Sequence, residues 1–341
     1  MTPPEPIRLA VIGCGRVFER FHLPALAGVP DLKVVAVCEA DADRLDWARA
    51  RLPGIAHAAS LEALPATARP AAVLLLTPPA THRALAESGL SIGLHVLVEK
   101  PMTLDLTSAQ AMARAARQAG RRLQVGYTRR FRAPYQALRH ELRSRAEGAI
   151  RAISYELAVP SAAWGAKAGF LGVDAEGGGV LDDVLSHQID LIRWIGGAEV
   201  RRVRATALAG EAVECELELA SGVKAQCRAA HAAYAEYLEV VLNEGGALAA
   251  SGAHLYRTMR PAGGLRRGYA RAADRAMLAL NRATGRRGLT LQSFEAQLRD
   301  FASAIRGAPS HGAGPDDGIA AVAAVQAARA SLADGGWREI G

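Results

Sequence analysis

Residues 94–102 read LHVLVEKPM. A short apolar run, Leu94, Val96, Leu97 and Val98, turns polar at Glu99-Lys100 and stops at Pro101. A strand buried on both faces of a parallel sheet has this signature: brief, β-branched, and closed by a residue that cannot extend the ladder. In open α/β sheets ligands bind outside the carboxyl ends of the strands. Lys100 stands at such an end, which makes it a candidate for the centre of the chemistry. On this stretch alone a solvated lysine at a strand end is the competing reading.

Working outward, residues 7–12 (IRLAVI) form a strand that runs into Gly13-Cys14-Gly15 and a helix over 17–27. Strand, Gly-x-Gly and helix together open a dinucleotide-binding unit. The first glycine makes the tight turn. The second lets the backbone approach a pyrophosphate seated on the helix N-terminus, where Arg16 and Val17 begin the helix. Phe18 holds the third fingerprint position in place of glycine or alanine, which implies looser or shifted helix–strand packing. Residues 33–38 (KVVAVC) make a second strand ending at Glu39. An acid there accepts hydrogen bonds from both adenosine ribose hydroxyls and repels a 2′-phosphate, so the cofactor expected is NAD rather than NADP. The competing role, helix capping, falls to Asp41 ahead of a helix from Ala42.

A weak strand over 55–58 and a strong one over 71–76 (AAVLLL) follow, the latter ending at Thr77-Pro78-Pro79. Helices are expected over 81–90, capped by Thr81, and over 104–119, closed by Gly120, with a strand over 122–126. Alternation on this scale is the mark of a doubly wound parallel sheet. From Tyr127 the pattern changes. A helix over 133–146 precedes strand-like runs at 149–158, 198–208, 212–220, 223–232 and 237–243, interrupted by one helix over 180–195. No helix separates the later runs, so the second sheet is expected to be open and mostly antiparallel. Helices over 290–306 and 316–334 close the chain. The expected fold is α/β followed by α+β, with a dinucleotide-binding domain at 1–126 and a substrate-binding and oligomerisation domain at 127–341.

The 341 residues, 50% of them hydrophobic, are enough for two cores. The apolar runs are too short to span a bilayer. The start, MTPPEPIRLA, lacks a charged segment followed by an apolar one, so a cytoplasmic protein is expected. Cys14, Cys38, Cys215 and Cys227 have no C-x-x-C spacing and read as buried free thiols, with no metal site. The net charge of +7 is local. Residues 254–287 hold nine arginines against the single acid Asp274, a net +8 that leaves about −1 for the rest. General nucleic-acid affinity therefore does not follow. The segment, with an amphipathic stretch over 269–283, reads first as a solvated or oligomer-contacting surface. An element facing an anionic or nucleotide-linked substrate, and attachment to an anionic membrane surface, are the alternatives.

Residues 177–190 read GGGVLDDVLSHQID. On a helix Asp183 and His187 share a face, and Asp190 lies three residues beyond His187. An Asp–His pair of this kind can move a hydroxyl proton: the imidazole takes it and the carboxylate orients the ring. A solvated i,i+4 polar pair is the bland alternative. The apolar flanks Val180, Leu181, Val184, Leu185, Ile189 and Ile192 argue instead for a buried helix with one polar spot.

With VIGCGRV, Glu39, LLTPPATH, VLVEKPM, GYTRRF at 126–131 and GGGVLDDVLSHQIDLIRWIGG at 177–197 in hand, the chain resembles the Gfo/Idh/MocA family of glucose–fructose oxidoreductase and inositol dehydrogenase. Pro315-Asp316-Asp317-Gly318 and Trp337-Arg338 extend the resemblance over nearly the whole chain. The resemblance implies a nicotinamide cofactor at the strand ends of a Rossmann domain, covered by the second sheet. It implies Lys100 beside the nicotinamide and the reacting hydroxyl, His187 as acid/base, and Asp183 as its assistant. Thr77, Pro78 and His82 match a loop lining the cofactor, with Glu99 and Pro101 flanking Lys100. Arg130 matches a residue near the site entrance, and Tyr127, Trp164, Lys167 and Leu185 are further substrate-side candidates. Leu185 replaces a common glycine and would narrow the pocket.

The activity so implied is NAD(H)-dependent hydride transfer between nicotinamide and a secondary alcohol or ketone of a sugar, cyclitol or similar polyol. A redox-neutral, NAD-retaining epimerase, glycosidase or eliminase would use the same groups. A non-catalytic cofactor-binding sensor would be free to lose Lys100, Asp183 and His187, all of which are present. An open sheet in the second domain is expected to bury its outer face in a homodimer or homotetramer.

Overall fold

A computed structural model of the chain describes residues 4–146, 148–160, 179–251, 254–258, 272, 276 and 288–341. Two compact units form, Met1–Thr128 with Thr290–Ile319, and Arg129–Leu289 with Ala320–Gly341. The first unit is therefore discontinuous in sequence, because residues 290–319 return to it.

Its six strands are β1 (Ile7–Ile12), β2 (Leu32–Cys38), β3 (Ala56–Ala58), β4 (Ala72–Leu75), β5 (His95–Val98) and β6 (Leu123–Val125). They pair in parallel in the order β3-β2-β1-β4-β5-β6, the doubly wound sheet expected from the sequence. The order reverses between β1 and β4, and ligands bind at such a switch point. β4 is buried at all its positions and β5 at all but His95, which is why both read as apolar runs without alternation.

The first crossover begins with a π-wound turn, Phe18–His22, and continues as α1 (Leu23–Leu26). Phe18 is fully buried, edge-on to Trp47, so the large ring shifts the packing without loosening it. The other helices are α2 (Ala42–Arg51), α3 (Pro79–Ser91) and α4 (Leu106–Ala119). The Asp41 carboxylate accepts from the Arg44 amide at 2.9 Å, the cap expected for α2. α4 ends at Gly120 with φ 61°, the left-handed stop. α3 starts earlier than expected. Pro79 opens it and has no N–H to satisfy, so Thr81 is not a cap; its hydroxyl donates back to the Pro78 carbonyl at 2.8 Å.

The second unit holds one eight-stranded sheet. Its strands are β7 (Ile150–Val159), β8 (Val200–Leu208), β9 (Ala212–Leu219), β10 (Lys224–His231), β11 (Ala235–Leu242), β12 (Ala247–Ser251), β13 (Leu255–Thr258) and β14 (Arg338–Glu339). The order is β13-β12-β11-β7-β10-β9-β8-β14, antiparallel except where β7 lies parallel to β10. β12, β13 and β14 escape the sequence reading. The first is alanine-rich, the second lies in the arginine-rich segment, and the third is two residues long. The helices of this unit are α5 (Ala133–Arg143) and α6 (Ser186–Gly196), the latter entered through a π-wound turn at Leu181–Leu185. Most of the arginine-rich segment lies outside the described residues. All four cysteines are buried and free, as expected. Among the described residues no helix is long and apolar enough to cross a membrane.

The return segment supplies α7 (Leu289–Ile305), followed by α8 (Pro315–Ser331). Phe294, Leu298, Phe301 and Ala302 of α7 join the core of the first unit with Leu9, Val11, Phe18, Val29 and Leu97. Phe294 stacks on Phe21 with centroids 5.1 Å apart. The chain then runs back along β6, where the Val125 amide donates to the Ala313 carbonyl at 2.9 Å.

One buried polar cluster holds the start of the second unit to its sheet. Glu236 of β11 is fully buried and accepts from Arg129, Arg132, Tyr234, Tyr135 (2.7 Å) and Tyr155 (3.0 Å). Burial pushes the carboxyl pKa up, but the charges of Arg129 and Arg132 outweigh it and hold it well below the usual range. A depressed carboxyl pKa adds stability above the unfolded value near 4.5, and that stability is lost only as pH falls through the lower folded value. Glu236→Gln is expected to cost about 3–5 kcal/mol by leaving two buried guanidiniums unpaired. Urea unfolding at neutral pH checks this, and the deficit should shrink in strong acid.

Candidate active site

In the first unit the sequence candidates sit on neighbouring strand ends. Gly13, just past β1, has φ 88°, and a Cβ there would lie 3.0 Å from the Leu76 carbonyl carbon and from Thr77 Cγ2. Only glycine fits this close approach. A Cβ on Gly15 would meet nothing within 4 Å, so the loop opens onto free space on that side. Arg16 and Val17 begin the helical winding, whose first N–H groups have no intrahelical partner. Glu39 is half-buried past β2. One of its oxygens accepts from the Cys14 amide (2.8 Å) and the other from the Asp41 amide (3.1 Å). Each carboxylate oxygen has two lone pairs, so the pinned group can still accept from a diol. Loop, helix start and carboxylate together fit a dinucleotide.

His82 is fully buried, so it holds this edge together without lining it. Its Nε2 lies 2.8 Å from the Thr77 carbonyl, and its Nδ1 lies 3.1 and 3.2 Å from those of Pro101 and Met102. Burial, the largest influence, holds its pKa below the ordinary value despite these carbonyls. A neutral imidazole carries one N–H and can donate to only one of these two sides at a time. The buried ring packs between the Thr77-Pro78 loop and the turn at Lys100-Pro101, a cis peptide.

Glu99 anchors that turn. Its Oε2 accepts from the Lys100 amide at 3.1 Å, and its Oε1 lies 2.9 Å from Nε2 of buried His22. Gly126 makes the fit possible: a Cβ there would lie 3.0 Å from Glu99 Oε2 and 3.1 Å from Glu99 Cα. Lys100 emerges half-buried from this frame at the carboxyl end of β5, whereas Tyr127 is buried.

In the second unit, residues 179–195 are buried at every position except Asp183 and His187. The polar residues between and beyond them are fastened inside. The Arg130 guanidinium grips Asp190 through both oxygens (2.9 and 2.5 Å), with both side chains buried. Arg130 is therefore a strut for α6 and does not stand at a site entrance, and Asp190 serves it. Gln188 donates to the carbonyls of Tyr155 (2.7 Å) and Arg228 (3.2 Å) on two strands. Asp182 pairs with Arg329 of α8 at 2.8 Å. Leu185 is fully buried, on the packed side of the turn and away from the two open positions. Trp164, Lys167, Gly177 and Gly178 lie outside the described residues.

Asp183 has a partner that the sequence reading missed. Its Oδ2 lies 3.2 Å from Nε2 of His231, the last residue of β10, whose Nδ1 lies 3.2 Å from Glu211 Oε2. The signal was present: Ala225, Cys227 and Ala229 alternate inward along β10, and His231 continues that register. His22 was missed likewise, as one of several polar residues in the first helix, beside Arg16, Glu19 and Arg20.

Residues 7–127 match the model of an oxidoreductase family with an NAD-binding Rossmann fold, and residues 135–248 match the GFO/IDH/MocA C-terminal domain. The chain is 30% identical over 202 residues to inositol 2-dehydrogenase of Arthrobacter sp. (strain FB24), covering 59% of this chain and 57% of that one. It is 33% identical over 203 residues to UDP-N-acetylglucosamine 3-dehydrogenase of Acidithiobacillus ferrooxidans, covering 60% and 58%. It thus spans somewhat over half the length of these curated relatives. The crystal structure of scyllo-inositol dehydrogenase from Lactobacillus casei with bound NAD(H) and scyllo-inositol shares the fold. Its TM-score is 0.79 at 21% identity, over 98% of this chain and 99% of that one.

The Gly126–Glu99 contact gives a direct check. Gly126→Ala is expected to cost about 1–3 kcal/mol through overpacking against backbone. A lowered thermal midpoint, together with displaced amide resonances at Glu99 and Lys100, would register it.

Proposed function

The chain belongs to the Gfo/Idh/MocA family, and on that premise we propose that it is an NAD(H)-dependent oxidoreductase. Its proposed substrate is a secondary alcohol of a sugar, cyclitol or similar polyol, or the matching ketone. The observation that carries this reading is the helix at 179–195, closed at every position except an aspartate and a histidine one turn apart. A protein that only bound cofactor would have no use for a buried helix opened at those two residues. Relatives named for inositol and for a UDP-sugar support the substrate class.

The nicotinamide, when bound, supplies the hydride acceptor or donor. Hydride leaves a carbinol carbon only as negative charge builds on its oxygen, so a proton acceptor and a nearby cation are both required. His187 takes the hydroxyl proton, and in ketone reduction it returns one. Lys100 holds a positive charge at the developing alkoxide, on a backbone fixed by Glu99 and packed against His82. Asp183 orients the substrate hydroxyl or the His187 ring. Gly13, Gly15, Arg16 and Val17 receive the pyrophosphate. Glu39 accepts the ribose diol and repels a 2′-phosphate.

Two measurements test this. Lys100→Ala and His187→Ala should each lower kcat/KM by about 10²–10⁴-fold while NADH affinity changes little. The assay follows nicotinamide absorbance with myo-inositol, a D-glucoside and UDP-N-acetylglucosamine. Full activity in either variant would remove that residue from the mechanism, and turnover without net NADH change would favour the redox-neutral route. Glu39→Ser should weaken NADH about tenfold or more, a charged hydrogen bond being worth about 1.5–3 kcal/mol, and NADPH far less. Equal losses for both cofactors would count against Glu39 as the discriminator.

A further inference from the structure

We propose that His231 is a positioning residue for the site, the middle of a Glu211–His231–Asp183 chain of hydrogen bonds that fixes the Asp183 carboxylate from behind. The proposal rests on the assignment of Asp183 to the site and adds a group outside the Lys100, Asp183 and His187 set.

Three observations carry it. The His231 side chain is 3% exposed, against 14% for Asp183, so the ring lies behind the carboxylate and away from solvent. Both ring nitrogens face carboxylate oxygens at 3.2 Å, one from the π-wound turn and one from the β8–β9 turn. An imidazole between two carboxylates satisfies both only when each nitrogen carries a hydrogen. Finally, the strand and the helix that hold the two ends are locked to each other. Gln188 of α6 donates to the Arg228 carbonyl of β10, and the His231 amide donates to the Glu211 carbonyl at 2.9 Å.

The charged groups facing His231 are Asp183 and Glu211. Asp182, next in the turn, points to Arg329 of α8, and β7 places Val159 beside His231. Burial opposes a charge on the ring. The hydrogen bond and charge of Asp183, then those of Glu211, reverse this and raise the pKa above 6.5. A raised histidine pKa contributes stability that is fully present below about 6.5 and lost as pH rises through the folded value. In that upper window one carboxylate loses its N–H donor, and Asp183 loses its fixed direction.

Two experiments on the full chain decide it. In ¹³C-labelled-histidine NMR, the His231 resonance, identified by its loss in His231→Gln, should titrate above the ordinary histidine range. Its midpoint should fall in Asp183→Asn and again in Glu211→Gln. A midpoint unmoved by both substitutions overturns the proposal. In kinetics with myo-inositol and UDP-N-acetylglucosamine as probes, His231→Gln should lower kcat/KM about ten- to a hundredfold, as expected for lost positioning. NADH affinity should hold, and the alkaline limb of the pH profile should change shape. A profile superimposable on the wild type overturns the proposal. If neither probe turns over, the functional reading fails while the NMR titration still decides the hydrogen-bond chain.

Discussion

The bidentate grip of Arg130 on Asp190 sets the helix that carries Asp183 and His187. α6 and the turn before it carry several polar side chains into a packed interior. Each would cost free energy if left without a partner. Asp190 has Arg130, Gln188 has two strand carbonyls, Asp182 has Arg329, and the Ser186 hydroxyl donates to the Asp182 carbonyl at 2.6 Å. These bonds add little to net stability, since desolvation offsets most of their attraction. Their value is directional. A rotation of the helix would break several of them at once and bury Asp183 or His187 against the sheet. The two open positions are thus defined by what holds the rest of the helix down.

The first unit uses the same logic on a strand end. Lys100 is a flexible side chain, and only its backbone can be fixed beforehand. Glu99 does this by accepting from the Lys100 amide while its other oxygen meets buried His22. Gly126 leaves room for Glu99, and buried His82 packs between the following turn and the Thr77 loop. The edge-on contact of His22 with Phe294 of α7, 4.8 Å between centroids, brings the return segment into this support. A residue far along the chain therefore stands three contacts from the lysine.

Much of this was legible in the sequence because it is written in period and punctuation. Four of the first six strands contain apolar runs, at 9–12, 34–38, 72–75 and 96–98, helices α2, α4 and α6 have a cap or a glycine stop, and the acid after β2 stands at a fixed offset. The Asp183–His187 pair was legible because apolar neighbours isolate it. What was not legible depends on partners distant in sequence. Arg130 read as a site residue because an arginine near a motif looks functional, yet Asp190, sixty residues away, claims it. Return of 290–319 to the first unit leaves no local mark, since an amphipathic helix does not say which sheet it covers. Thr81 failed as a cap because Pro79 had already begun the helix.

The same long-range effect divides the labour between Asp183 and His187. Read along one helix, the carboxylate and imidazole form a relay in which either could hold the proton. In the fold the Asp183 carboxylate already faces a second imidazole whose far side meets Glu211. A carboxylate accepting a hydrogen bond from a cationic ring is a weak base, because protonating it forfeits that charge-assisted bond. Under the proposed function, proton transfer then falls to His187, while Asp183 directs a hydroxyl toward it. The two histidines near this carboxylate differ in setting: His231 lies sealed behind it, and His187 stands half-buried one turn along, the residue to which the proposed mechanism gives the proton.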